Sequence, residues 1–517
     1  MLRLKTWRKS SAGDKALSLS LLLGKVFGRF LGSVKGQDSG EIERELPFAV
    51  MLFTLMSASG VTLYDGWKKM RSINLLPTFQ KEANEVVRQV EVLGYDPLTV
   101  MYKRAENTKS RMYRDFLAGY VSSVKSGINV VSFLKSKMRS MFEAQSAASN
   151  RAIEKLGTLI EAYAVMLIVT LCAYILYVVI SSSDFFSSAS SGTTASSNIM
   201  LYLFVFLAMP MLSIFFILIA HAARKSNLIT LKECYRRALF SSLIAIGMLA
   251  AFLLVPSLQA AASPIGMTGI VTICFLIISV PPWLSYRKIA KINFTAEDSM
   301  PSFLRDVSEA RKIGLSPEKS IIHASKRTAY GSFSEILGLV RSQIEWGVSL
   351  KKIFENIKKK LRSWPVLVHF FILVETIEVG GGSAAALEIL SEYSEKSKDI
   401  ESNKRATLKP YVVLAFIWSV LIAVTTTIVA MTIYILANVS LPGMTGQPAL
   451  GGVQEQMIIL SVGIILQCWL SGFFIGKISE GSFAAGFKYS AVLAVTAYVS
   501  LLLSQNFLIG MQTIAPT

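Results

Sequence analysis

Residues 238–286 read ALFSSLIAIGMLAAFLLVPSLQAAASPIGMTGIVTICFLIISVPPWLSY, 49 positions without one charged side chain. About 20 apolar residues span a bilayer, so this run is long enough for two crossings. The small-residue turn at Ser263-Pro264 divides them. Working outward, Pro410–Gln454 and Tyr489–Thr517 are also charge-free, over 45 and 29 residues. The whole chain has 517 residues, 52% hydrophobic and 17% charged, with a mean hydropathy of +0.49. Soluble globular proteins carry about 25% charged residues. The deficit excludes an ordinary soluble enzyme and excludes disorder. An all-α polytopic membrane protein is expected.

Apolar windows fall at 158–181, 199–220, 239–258, 265–285, 410–437, 456–476 and 488–510, predicting seven transmembrane helices. The net charge of +19 could suggest nucleic acid, but its distribution argues otherwise. Residues 1–155, 221–238, 286–409 and 477–488 carry 25, 5, 21 and 2 Lys and Arg, which is all 53. Short cytoplasmic loops hold such residues and translocated ones avoid them. The other side keeps Ser182–Asn198, Gln259–Pro264, Asn438–Glu455 and the C-terminal tail, with none. A plasma-membrane protein with its N-terminus cytoplasmic and its C-terminus outside is therefore expected, with an outer sequon at Asn438.

Leu46–Tyr64 is a further 19 residues without charge. If it crossed, the 16 Lys and Arg between Asp65 and Lys155 would be translocated, so it reads as a buried helix of a cytoplasmic domain. The N-terminus has no small-residue cleavage site and is not a secretory signal. Lys15–Lys35 reads as an amphipathic helix with a glycine row at Gly24, Gly28 and Gly32. It suits either an interfacial helix or a cap on the first domain.

The two cytoplasmic blocks repeat one pattern. Leu46-Pro47-Phe48 recurs as Met300-Pro301-Ser302, and Gly60-Val61-Thr62 as Gly314-Leu315-Ser316, both at an offset of 254. Gly94 matches Gly347 at 253 and Gly127 matches Gly381 at 254. The Pro–Gly–Gly–Gly spacings are 13, 34, 33 and 13, 33, 34, a register held over 80 residues. Each copy is predicted to be a small helical bundle. Pro47 and Pro301 suit a helix's first turn, and Gly60 and Gly314 its left-handed end. Thr62 and Ser316 suit the next N-cap, and Gly94 and Gly347 the end of a second long helix. The expected segments are a basic amphipathic stretch (1–45), a first module (46–155), four spans (156–285), a second module (286–409) and three spans (410–517).

Motifs for catalysis are missing. No G-x-x-x-x-G-K-[ST] follows a strand, and no H-E-x-x-H or G-x-S-x-G occurs. The three histidines are scattered, and no two of the four cysteines form C-x-x-C. Gly380-Gly381-Gly382 follows a helix-like segment with no Lys-[ST] after it, and reads as a helix-ending turn. The spans hold one ionisable residue, Glu161, and one deep amide, Gln467. Transporters usually place charges at mid-membrane. No cofactor, metal or catalytic residue is expected, and the cytoplasmic modules are left as the working parts.

The segments LPFAVMLFTLMSASGVTLYDGW (46–67) and MPSFLRDVSEARKIGLSPEKSI (300–321) resemble the paired F-domains of type II secretion and type IV pilus platform proteins. GYDPLTVM, GVSLKKIF and VETIEVGGGSAAALEILSEYSEK extend the likeness. A seven-span chain of this length is similar to the archaeal platforms of archaella and pili. The resemblance implies a non-enzymatic assembly platform, driven by a cytosolic hexameric secretion ATPase, that moves pilin subunits from the bilayer into a filament. It further implies contact with membrane lipid and, as a homodimer, with a second copy of the chain; nucleic acid is not expected. A transporter or an unrelated membrane scaffold is the alternative. Lys351, Lys352, Lys358, Lys359, Lys360 and Arg362 are candidates for ATPase docking, with Lys351, Lys358 and Arg362 near one helical stripe. The same cluster suits a solvated face attracted to anionic lipid. Glu375 and Glu378 are further candidates. At the same offset the first copy has Val121 and Val124, so only the second module carries the acids.

Overall fold

The computed structural model describes residues 37–188, 202–224, 231–254, 266–380, 382–438 and 450–514. The amphipathic reading of Lys15–Lys35, most of the outer segments and Gly381 lie outside the described residues. In chain order the α-helices are α1 Gln37–Ala58, α2 Leu63–Met70, α3 Pro77–Glu91, α4 Pro97–Asn107, α5 Arg111–Lys125 and α6 Val130–Ser188. A π-turn over Phe204–Ala208 leads into α7 Met209–Ala223, followed by α8 Lys232–Leu254 and α9 Gly266–Lys312. Then come α10 Pro317–Ser325, a 3₁₀ turn over Gly331–Phe333, α11 Ser334–Glu345, α12 Leu350–Lys360 and α13 Trp364–Gly380. The last three are α14 Ala384–Asn438, α15 Leu450–Glu480 and α16 Phe483–Ile514. No strand occurs among the described residues.

Seven helices are long and apolar enough to cross a membrane, over Val130–Cys172, Val205–Ala223, Lys232–Phe252, Gly266–Lys312, Ala384–Ile428, Ile458–Glu480 and Phe483–Asn506. They coincide with the seven apolar windows of the sequence. Leu46–Met56 is not among them. It is buried by its own module, where Phe53 stacks on Phe116 at 6.2 Å and lies 5.0 Å from Trp67.

The two modules repeat helix by helix: α1 to α5 correspond to the end of α9, α10, α11, α12 and α13. The start of α6 corresponds to the start of α14. Gly60 and Gly314 both have positive φ, +85° and +90°. After each, the next N–H reaches the carbonyl five residues back: Val61 N–H donates to Met56 C=O at 3.0 Å, and Leu315 N–H to Ala310 C=O at 3.3 Å. These are Schellman closures. Thr62 and Ser316 cap the following helices by accepting from Asp65 N–H and Lys319 N–H.

Two expectations need correcting. Pro47 and Pro301 are not in first turns; they sit inside α1 and α9. Each removes the N–H that would reach the carbonyl four residues back, at Glu43 and Glu297. Those same residues are used by their carboxylates: Ser110 Oγ donates to Glu43 at 3.0 Å and Ser363 Oγ to Glu297 at 2.6 Å. Secondly, the stretch before Gly94 or Gly347 is two short helices, α2–α3 or α10–α11, because polar turn residues break each run. Gly127 has positive φ, +69°, and in the second copy so does Gly382, +60°, within the expected helix-ending glycine turn; Gly381 lies outside the described residues.

By packing, the chain forms two units. One holds the described residues up to Ala144 together with Ile372–Leu390; the other holds Gln145–Phe371 and Ser391 onward. In the second unit, α15 and α16 approach so closely that a Cβ on Gly476 would lie 2.3 Å from Gly486 Cα. Small residues let membrane helices meet in this way. Gln467 has a structural use there: its Nε2 donates to Ser213 Oγ at 2.6 Å, and Tyr163 Oη lies 3.0 Å from Ser213 and 2.7 Å from Ser471. A polar collar closes one end of the bundle. Arg224 donates to the carbonyls of Ile478 and Ser479, and Glu480 accepts from Tyr286 at 2.9 Å and Tyr489 at 3.0 Å.

Candidate functional site

The basic segment forms α12, an amphipathic helix. Leu350, Ile353, Phe354 and Ile357 are buried, while Lys351, Lys352, Lys359 and Lys360 are exposed and Lys358 is half-buried. The helix stops at Leu361, which is fully buried with extended backbone. Arg362 therefore leaves the stripe on which helical spacing had put it. Its N–H donates to Asn293 Oδ1 at 2.7 Å, as does that of Ser363 at 2.8 Å, and its guanidinium lies 3.7 Å from Glu233.

These contacts give α12 a direction. An α-helix rises 1.5 Å per residue, so Asn293 lies about 12 Å along α9 from Ser285, the last position of its apolar window, and Phe303 about 27 Å. Phe370 of α13 stacks on Phe303 with centroids 6.4 Å apart and on Phe354 at 6.5 Å. Thus α13 runs outward beside α9 and α12 runs back. Lys358, Lys359, Lys360 and Arg362 are at the membrane end; Lys351 and Lys352 are at the far end. The six cations do not form one surface.

Glu375 and Glu378 belong to the first unit, and they part company there. Glu378 is exposed, whereas Glu375 is 4% exposed with an oxygen 3.0 Å from Lys69 Nζ. Sequence reasoning missed Lys69, Asn293, Glu297 and Glu43. The last two were within reach, since Glu43 and Glu297 stand 254 apart and their partners Ser110 and Ser363 stand 253 apart, inside the register already found. Among the described residues, no three of His, Cys, Asp and Glu come together as a metal would require.

The profile of type II secretion system protein F matches this chain twice, over residues 49–178 and 303–431. Each match takes in most of one helical module and reaches into the first span that follows it. The chain belongs to the type II secretion system protein F family. Proteins of this family are the membrane platforms of secretion and pilus systems, working in general with a cytosolic ATPase, and are not known as enzymes. An uncharacterized protein of Methanocaldococcus jannaschii is 22% identical over 511 residues, covering 93% of this chain and 82% of that one. No solved structure matches.

Proposed function

We propose that this protein is the membrane-embedded assembly platform of an archaeal type IV pilus-like filament or archaellum. It couples a cytosolic hexameric secretion ATPase to the insertion of pilin subunits. The observation that carries the reading is the paired F module, each copy feeding a long helix into its own set of spans, in a chain similar over 93% of its length to an archaeal protein. The chain itself performs no catalysis on this reading. The ATPase engages the cytoplasmic modules, for which Lys351, Lys352, Lys358, Lys359, Lys360, Arg362 and Glu378 are candidate contacts. Pilins reach the spans laterally from the bilayer. The N-terminus is cytoplasmic and the C-terminus outside.

Deletion of the gene should abolish one class of surface filament in electron micrographs, restored by the wild-type chain. The affinity-tagged protein should co-purify with a secretion ATPase and pilins. Unchanged filaments in the deletion strain would remove the platform reading.

A further inference from the structure

Where α8 and α9 leave the membrane beside the end of α12, the second unit is strongly basic. On α9, Arg287, Lys288 and Lys291 are exposed within about 9 Å of Ser285, at 1.5 Å per residue. On α8, Lys232 and Arg236 are exposed, and Arg237 donates from Nη1 to Ser285 Oγ at 2.7 Å. Tyr235 is 44% exposed there, and Leu239 and Phe240, just inside the span, are 66% and 68% exposed. A surface tyrosine followed by exposed apolar residues marks the level of the lipid headgroups. Lys358, Lys359 and Lys360 end α12, and the Arg362 guanidinium lies 3.7 Å from Glu233, about 6 Å along α8 from Arg237. Each headgroup layer is about 5–8 Å thick, so Arg362 reaches it.

The acids of these three helices do not balance the rim. Glu233 faces Arg362, and Glu297 is taken by Arg405 and Ser363. Exposed Glu355 stands about 8 Å back along α12 from Lys360, and exposed Asp298 about 20 Å beyond Ser285 on α9. Lys232, Arg236, Arg287, Lys288, Lys291, Lys358, Lys359 and Lys360 form no ion pair with a described residue. Nor does the fold of the module demand the charge. At the offset of 253, the first copy ends α4 with Ala105, Glu106 and Asn107 where the second has Lys358, Lys359 and Lys360.

We infer that this rim binds the headgroups of anionic lipid, seating the membrane end of α12 on the leaflet beside α8 and α9. Clusters of about four to eight Lys and Arg next to a span select anionic lipid. The cations share a level rather than a face: Arg287 and Lys288 are exposed about 100° apart around α9. A plane of headgroups meets every face at that level at once. The α8 and α9 cations lie within one Debye length of Ser285, about 10 Å at 0.1 M salt. Lys351 and Lys352 stand about 12 Å further out along α12 than Lys359 and Lys360, outside that reach. The inference rests on the spans and not on the platform reading, and it withdraws Lys358, Lys359, Lys360 and Arg362 from the candidate ATPase contacts.

The test reconstitutes the full chain into phosphatidylcholine vesicles doped with spin-labelled phosphatidylglycerol or spin-labelled phosphatidylcholine. Electron paramagnetic resonance reads the fraction of each probe that the protein immobilises. The wild type should prefer the glycerol probe at least about threefold at low salt, and less as salt rises. Lys358→Glu, Lys359→Glu and Lys360→Glu together should remove most of that preference, and Gln at the same three positions, a milder change, should lower it. Lys351→Glu with Lys352→Glu should keep it. Equal immobilisation of both probes by the wild type overturns the inference. So does a preference that survives the triple Glu change, or one that the Lys351 and Lys352 changes abolish as fully. Loss of the preference on adding inorganic phosphate at constant ionic strength would assign the rim to a soluble phosphate compound and overturn the lipid. Each of these failures leaves the platform reading standing.

Discussion

The Lys69 ammonium lies 3.0 Å from the Glu375 carboxylate, joining a helix of the first module to the end of α13. Lys69 is 28% exposed and can reach water alone; Glu375, at 4%, cannot. Lys69→Met should thus destabilise the protein by about 3 kcal/mol, the cost of a stranded buried charge. Glu375→Gln should cost clearly less, and the double variant should recover most of the loss. Thermal unfolding of the full chain in detergent checks the order. Equal effects of the two single changes would mean that the pair is solvated.

At Gly314 a Cβ would meet nothing within 4 Å, yet φ is +90°. Any cost of substitution is therefore backbone strain, about 1–3 kcal/mol for a β-branched residue. Gly314→Val should lower the unfolding temperature, Gly314→Asn should lower it less, and Ser302→Ala on the exposed side of α9 should leave it unchanged.

Gly476→Val tests the opposite mechanism. Here the obstacle is backbone 2.3 Å away, so α15 and α16 would have to separate. Folded yield in detergent should collapse. Gly247→Val, on α8 with nothing within 4 Å of its Cβ, should fold normally.

His369 is buried in α13 with Nδ1 2.7 Å from the Pro365 carbonyl. Burial, only partly opposed by that hydrogen bond, pulls its pKa from the usual 6.5 down to about 4. Between these values the unfolded chain binds a proton that the folded chain refuses. Stability should be level above pH 6.5 and fall as pH drops towards 4, by up to about 1.4 kcal/mol per unit. His369→Leu should flatten that slope in unfolding curves at pH 7.5, 6.5, 5.5 and 4.5. Parallel curves for variant and wild type would show that the folded imidazole does protonate.

Orientation is open to single-cysteine labelling in a background without the native four. Cysteines at the exposed positions Ser122 and Ser342 should react with an impermeant thiol reagent only after lysis. Labelling of Ser122 on whole cells would place the first module outside.

Sequence alone determined the seven spans, the all-helical class and the twofold module, because each is written locally. Charge-free length sets a crossing, helical periodicity buries Ile353, Phe354 and Ile357, and a left-handed turn calls for Gly60 and Gly314. Tertiary structure decided what those elements do to one another. It divided the cations of α12 between a membrane end and a far end, since Asn293 takes the amides of Arg362 and Ser363 across 69 and 70 residues of chain. It also withdrew Glu375 from the surface to meet Lys69, more than 300 residues earlier. A buried charge must find its counterion wherever folding brings one, and that meeting depends on how helices pack, which no local pattern of residues records.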